Sequence, residues 1–218
     1  MTIVSTSYSK TEAYTSPEEW LKRIRFYTGI LESISTQHKV ASIERIAFQG
    51  FRHANNVDYY FVHQSRKIVM FPKNMHRLIQ KLLPDVVLVN GFIFPLQIIQ
   101  LRIAVGNKVK ILVLHRAEKP FRGWKKWLQV LADRCVDGYL FTSEEMGYQW
   151  ISKGIIGNQK KIHEVIQASS SFHPQDRDAA RKKLQLGGSR MYLWVGRLEK
   201  NKDPLTVVKA FLRFNAVH

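Results

Sequence analysis

Short apolar runs alternate along the chain with longer segments in which apolar residues recur every three or four positions. The runs predict buried strands, and the recurring positions predict amphipathic helices. The predicted strands are Thr2–Ser5, Val40–Phe48, Val57–Val62, Val86–Val89, Val109–Leu114, Tyr139–Phe141 and Ile162–Ile166. Because strands that are apolar throughout and alternate with helices are typical of parallel sheets covered on both faces, this pattern predicts an α/β fold with a doubly wound, mostly parallel sheet.

The predicted helices have defined starts and inner faces. Ser16 and Pro17 form a typical cap and first residue, and Thr142 with Glu145 predicts a capping box. Helical spacing gives 73–83 an inner stripe of Met75, Leu78, Ile79 and Leu82, with Lys73, Arg77 and Lys81 outside. By the same spacing, the helix 121–134 is predicted to turn Phe121, Trp124, Leu128 and Leu131 towards the core. A further helix is predicted over 92–104.

The composition changes near residue 170, which predicts a first domain over residues 1–172 and a second over 173–218. The second begins with a charged helix near 175–186. A strand at Met191–Val195 and a helix starting at Pro204, capped by Asp203, follow. Since one strand and one helix cannot bury their own faces, this second domain is predicted to be incomplete.

Charge and cysteine content narrow the classes of partner. The chain has 34 Lys and Arg against 17 Asp and Glu, a net charge of +17, which favours nucleic acid, anionic lipid or phosphorylated substrates. Its single cysteine, Cys135, excludes an intrachain disulfide and a zinc site built on thiolates. The first ten residues do not resemble a secretory signal, so we expect a cytoplasmic location.

The loop after the predicted strand Met191–Val195 carries two cations, Arg197 and Lys202. They stand beside the free N–H groups and positive dipole end of the next helix, an arrangement that attracts phosphate. Two solvated loop cations are the alternative interpretation of this feature alone.

The wider motif, G-R-L-x-x-x-K-D-P from Gly196 to Pro204, resembles the start of the donor-binding domain of family-four retaining glycosyltransferases. These enzymes have the GT-B fold of two Rossmann-like domains. The resemblance implies that Gly196, Arg197 and Lys202 bind the diphosphate of a nucleotide sugar. It also implies transfer to a carbohydrate or lipid-linked acceptor, with no metal and no cofactor beyond the donor.

Ligands of doubly wound sheets bind beyond the carboxyl ends of the strands, so residues just after strands are the candidates for chemistry. His115 closes the run 111–114, and a histidine that merely hydrogen-bonds a neighbouring loop is the alternative. The resemblance implies that His115 faces the cleft and donates a hydrogen bond to the transferred sugar. Arg116 and Glu118 are further candidates to line the cleft, with a salt-bridged pair in the loop as the alternative. Asn90 and Gly91 are candidates as well, with a plain turn as the alternative.

The chain departs from the family pattern at two places. No glutamate follows Glu199, so the acidic pair of the donor domain is absent, and the loop 8–13 lacks glycine. Two charge-assisted contacts contribute about 3–6 kcal/mol, whereas micromolar affinity requires about 8 kcal/mol. We therefore expect weak binding of a nucleotide sugar and no turnover by these 218 residues alone.

Charge also supports rival functions. A basic α/β module could bind nucleic acid, but the helix aromatics are predicted to face the core, so no nucleic-acid partner is expected. A non-catalytic scaffold that pairs with a separate donor domain is another rival. The basic helix faces could rest on anionic lipid at the inner face of the cell membrane, with ordinary solvated faces as the alternative. These faces comprise Lys73, Arg77 and Lys81, and Arg122, Lys125 and Lys126.

Overall fold

The computed structural model of the chain describes residues 1–9, 11–63, 70–170, 172–188, 191–196 and 198–217. The chain divides into two compact units, Met1–Ser171 and Phe172–His218. The first unit contains the sheet and most of the helices, and the described residues of the second form two α-helices.

The first unit is built on one sheet of eight strands in the order β3-β4-β2-β1-β5-β6-β7-β8. All neighbouring strands are parallel except β3 and β4. This confirms the predicted doubly wound, Rossmann-like α/β fold. The strands are β1 Thr2–Ser7, β2 Lys39–Glu44, β3 Gly50–Ala54, β4 Val57–Phe61, β5 Val86–Asn90, β6 Lys110–Leu114, β7 Gly138–Phe141 and β8 Ile162–Glu164.

Helices cover both faces of this sheet. On one face, Tyr27 and Leu31 pack against Val40, Leu88 and Leu114. The other face has a larger core, which includes strand residues of β1, β5 and β6 and one or more residues from each of four helices. The helices of the first face are α1 Pro17–Arg23 and α2 Arg25–Ser35, and those of the second are α3 Lys73–Lys81, α4 Pro95–Val105, α5 Trp124–Asp133 and α6 Glu144–Ser152.

The region between β2 and β4 differs from its prediction. The strand predicted over 40–48 ends at Glu44, and a further strand, β3, forms an antiparallel hairpin with β4. Asn55 and Asn56 make the turn with φ of 50° and 63°. Asparagine adopts this left-handed conformation more readily than most residues, and two such residues match the twist of a two-residue hairpin.

The inner face of α5 also differs from its prediction. Trp124 is 70% exposed and Leu131 46%, whereas Gln129 and Asp133 are buried. The buried polar side chains bond groups of the core, which removes the cost of burying them. The predicted capping box of α6 is wrong as well, because Ser143 rather than Thr142 is its cap residue.

The second unit contains α7 Arg177–Lys183, a 3₁₀ turn Lys200–Lys202 and α8 Pro204–Val217. The predicted cap is confirmed, since Asp203 accepts a hydrogen bond from the Thr206 N–H at 3.4 Å. The predicted strand over 191–195 is wrong: none of the described residues of this unit forms a strand. An apolar run needs a neighbouring strand for its backbone groups, and no described segment here supplies one.

Over the described part of the chain, every helix is too short or too polar to cross a bilayer.

Candidate ligand site at the carboxyl edge of the sheet

Asn90 is the centre of a polar network at the carboxyl ends of β1, β5 and β6. Its Nδ2 lies 2.8 Å from the Tyr27 hydroxyl, 3.1 Å from Ser5 Oγ and 3.1 Å from the Thr6 carbonyl oxygen. Its Oδ1 accepts a hydrogen bond from Arg116 Nη2 at 3.1 Å. Asn90 therefore has a larger role than the plain turn that was the alternative prediction, because it positions Arg116.

Arg116 brings a guanidinium group to the wall of a cleft. The group lies 4.9 Å from the centre of the Tyr27 ring, a cation–π contact that restricts its orientation. Among the described residues, only Asn90 accepts a hydrogen bond from this guanidinium. Its other N–H groups can donate to a phosphate, carboxylate or hydroxyl of a ligand. The cleft has a volume of about 630 Å³ and is lined by Phe26, Arg116, Thr142, Glu164, Val165, Ile166, Gln167 and Ala168.

His115 stabilises the loop that carries Arg116. The side chain is buried, with its ring 4.7 Å from that of Phe141. Its Nε2 lies 3.0 Å from the Glu118 carbonyl oxygen, and its Nδ1 accepts from the Ala117 N–H at 3.3 Å. A neutral ring with its hydrogen on Nε2 satisfies both contacts. Donation to a sugar, the role implied by the resemblance, would require Nε2 to exchange its carbonyl partner for the ligand.

Glu118 connects the loop after β5 to the loop after β6 through hydrogen bonds. Its Oε2 accepts from the Arg116 backbone N–H at 2.6 Å, and its Oε1 accepts from the Phe92 N–H at 3.3 Å. Gly91 makes this approach feasible, since its φ is 95° and a Cβ there would lie 2.6 Å from Glu118 Oε1. Glu118 thus contacts Arg116 through the main chain, so its structural role is a clamp between loops.

Glu44, at the end of β2, interacts with Arg116 and Tyr27 of this network through its charge and was not a predicted site residue. The carboxylate accepts from Ser42 Oγ at 2.6 Å and from Trp20 Nε1 at 2.9 Å. Burial raises its pKa, and these bonds and the charge of Arg116 oppose that shift. Burial likewise raises the pKa of Tyr27 to about 12. An acidic residue within the apolar run 40–48 was the signal that could have identified this position.

Arg45 is a second guanidinium at this edge that sequence reasoning missed. It is 3% exposed, and its Nη1 donates to the Tyr8 carbonyl oxygen at 2.5 Å. Its Nε and Nη2 are buried without a hydrogen-bond partner among the described residues. Nε and Nη2 share one edge of the guanidinium, the edge that binds carboxylate or phosphate with two parallel bonds. Burial lowers its pKa.

The predicted diphosphate residues belong to the second unit. Lys202 is exposed in the 3₁₀ turn 200–202, and Arg197 lies outside the described residues. Gly196 lies in a bend where a Cβ would come within 2.8 Å of the Trp194 ring. The diphosphate clamp therefore stays a prediction. By contrast, the structure brings five other candidates together at one edge of the sheet: Asn90, Gly91, His115, Arg116 and Glu118.

No group of three or more metal-ligating side chains occurs in the described parts of the chain. No protein-family model matches this chain, and no curated protein matches it with significant similarity. Fold and geometry thus define a Rossmann-like domain with a cleft, bordered by Arg116, at the carboxyl edge of its sheet.

Proposed function

We propose that this chain contains the acceptor-side domain of a retaining glycosyltransferase, which moves a sugar from a nucleotide-diphosphate sugar to a hydroxyl of a carbohydrate or lipid-linked acceptor. The proposal rests mainly on the position of Arg116. Asn90 and Tyr27 fix the orientation of its guanidinium at the cleft, and its remaining N–H groups are available to a ligand. Doubly wound sheets bind their ligands at this edge. The motif from Gly196 to Pro204 supplies the link to nucleotide sugars.

The geometry suits charge stabilisation more than proton transfer. A guanidinium whose orientation is fixed in advance stabilises the negative charge that develops on a departing diphosphate, without a cost of reorganisation. His115 has both ring nitrogens bonded within its own loop, so its contribution is to keep Arg116 in place. The unpartnered edge of Arg45 at the same end of the sheet also favours an anionic ligand.

Ligand-observed NMR titrations test this proposal. The probes are UDP, GDP and ADP, their common sugar conjugates, and simple methyl glycosides without phosphate. We expect weak, saturable binding of at least one nucleotide-diphosphate compound and an affinity at least about tenfold lower for Arg116→Gln, the loss of one charge-assisted contact. The matched control is Lys153→Gln, which removes an exposed cation at the end of α6 and should leave the affinity unchanged.

Two results would contradict the proposal. One is the absence of saturable binding for every nucleotide diphosphate in the panel. The other is binding that Arg116→Gln and Lys153→Gln weaken equally, since general charge attraction rather than the cleft would then explain it.

A further inference from the structure

The outer side of α5 carries an exposed apolar stripe. Trp124 and Trp127 are each 70% exposed, and Leu131 is 46% exposed. Their spacing of three and four residues places them on one line along the helix. Contiguous exposed apolar side chains mark surfaces that bind a partner, so this stripe indicates an interaction surface.

Further apolar side chains extend the surface across the neighbouring helices. Helix α4 packs between α3 and α5. A groove of about 390 Å³ joins Trp124 to Met70 and Ile93, and a second groove, between α3 and α4, is lined by Phe71 and Ile103. All four of these added residues are exposed. We call the whole set the apolar patch: Met70, Phe71, Ile93, Ile103, Trp124, Trp127 and Leu131.

The charge around the apolar patch has one sign. Asp133 is the only acidic residue in α3, α4 and α5, and its side chain is buried. Exposed cations on these helices and the turn before α5 are Lys73, Arg77, Lys81, Arg122 and Lys125. The opposite face of the sheet differs, since α1 exposes Glu18 and Glu19 beside its cations. The face formed by α3, α4 and α5 therefore complements an anionic partner.

We propose that this face docks on the surface of an anionic lipid bilayer. Tryptophan is favoured at the boundary between head groups and acyl chains, because its ring is apolar and its N–H finds polar partners there. Cations around an apolar stripe bind the lipid phosphates while the stripe enters the interface. The proposal is independent of the transferase function, since it uses none of the cleft residues.

A nucleic acid is the other anionic partner to consider. Single strands bind through aromatic rings that stack on successive bases along a basic groove. Three of the seven side chains of the apolar patch, Phe71, Trp124 and Trp127, are aromatic rings that could stack on bases. The patch also contains the aliphatic side chains of Ile93, Ile103 and Leu131, which cannot stack on bases but do enter a lipid interface. This combination of aromatic and aliphatic side chains favours a lipid bilayer over a nucleic acid as the partner.

Vesicle binding by the full chain tests the proposal. Phosphatidylcholine vesicles with and without phosphatidylserine are compared by co-sedimentation and by the wavelength of tryptophan emission. We expect binding that requires phosphatidylserine, weakens with salt and shifts the emission to shorter wavelength. Trp124→Gln with Trp127→Gln should abolish the emission shift and most of the binding.

A pair of charge variants separates local from general attraction. Arg122→Gln with Lys125→Gln removes two cations beside the stripe, and we expect a loss of about fivefold in vesicle affinity for each cation removed. The matched control, Lys22→Gln with Arg23→Gln, removes two exposed cations from the opposite side of the sheet and should leave the affinity within about twofold. Circular dichroism confirms that each variant is folded.

Four outcomes would overturn the proposal. Equal sedimentation with neutral and anionic vesicles excludes a charge-dependent lipid surface. An equal loss of vesicle affinity for the two pairs of charge variants excludes a lipid-binding surface confined to this face. Single-stranded RNA or DNA binding that the tryptophan variants abolish, with vesicle binding intact, would identify a nucleic-acid surface instead. A dimer in sedimentation velocity that the same variants dissociate would identify a second copy of this chain as the occupant.

Discussion

Helices α3 and α5 cover the same face of the sheet and have similar apolar spacing. However, α3 turns its apolar residues towards the core, whereas α5 turns large apolar residues towards solvent. Helix α3 buries Met75 and Ile79 completely. Helix α5 exposes Trp124 and Trp127 at 70% each. The comparison shows that periodicity identifies an apolar stripe without showing whether that stripe faces the core or an external partner.

The inner side of α5 explains the difference. Gln129 Nε2 donates to the Phe92 carbonyl oxygen at 3.0 Å, and Asp133 accepts from the Tyr139 hydroxyl at 3.0 Å. Asp133 also pairs with Lys161 at 3.2 Å. Because these buried polar groups have partners, their burial carries little penalty, and the stripe is free to face outwards.

The largest expected effect comes from truncating the inner stripe of α3. Met75→Ala removes a side chain that is 0% exposed and leaves a cavity, so we expect a loss of about 3 kcal/mol in the free energy of unfolding. Leu131→Ala on α5 is the matched truncation and should cost less than about 1 kcal/mol. Urea denaturation followed by circular dichroism measures both. Equal losses would mean that α5 packs as tightly as α3, and the contrast between the helices would be wrong.

The second effect is a pH dependence that comes from the inner side of α3. His76 is buried, and the Tyr8 hydroxyl lies 2.9 Å from its Nε2. Burial lowers the pKa of His76 from 6.5 to about 4. The unfolded chain therefore takes up the proton first as the pH falls, and stability decreases from about pH 6.5 towards about pH 4. Between about pH 7 and about pH 5, this amounts to roughly 2 kcal/mol.

Urea denaturation at several pH values isolates this contribution. Glu44 acts in the opposite direction, since its raised pKa favours the folded state towards acid. For that reason the measured quantity is the difference between the wild type and His76→Gln, which keeps a hydrogen-bond partner for Tyr8 but does not titrate. We expect the difference to shrink as the pH falls from about 6.5 to about 4. If the difference is constant over this range, the pKa of His76 is the same in the folded and unfolded states, and the predicted pH dependence is wrong.

Most of the fold could be predicted from the sequence because strand runs and helix caps are local signals. The sheet order could not, and β3 was missed because Phe51, Arg52 and His53 are mostly exposed and carry no buried run. The outward turn of α5 depends on the partners of Gln129 and Asp133, and Phe92 lies 37 positions from Gln129. Periodicity within one helix contains no information about such partners.

Part of the candidate site could also be predicted from the sequence. Residues after strands meet at the carboxyl edge of a parallel sheet, so the topology alone brings Asn90, Arg116 and Glu118 to one place. Glu44 and Tyr27 belong to the interiors or ends of regular elements, where sequence reasoning searched for core residues. Whether a polar residue in such a run is a structural partner or a site residue depends on neighbours that only the structure supplies.

The smallest expected effect on stability is the sharpest test of what the stripe on α5 does. Trp124→Gln with Trp127→Gln replaces two rings that are each 70% exposed, and glutamine is at least as good a helix former, so we expect a change within about 0.5 kcal/mol in the free energy of unfolding. The same variant should lose most of its binding to phosphatidylserine vesicles. A stripe that contributes almost nothing to folding but much to docking has a function outside the core. A loss of stability comparable to that of Met75→Ala would instead mean that the rings are buried in the folded protein, and the surface we infer would not exist.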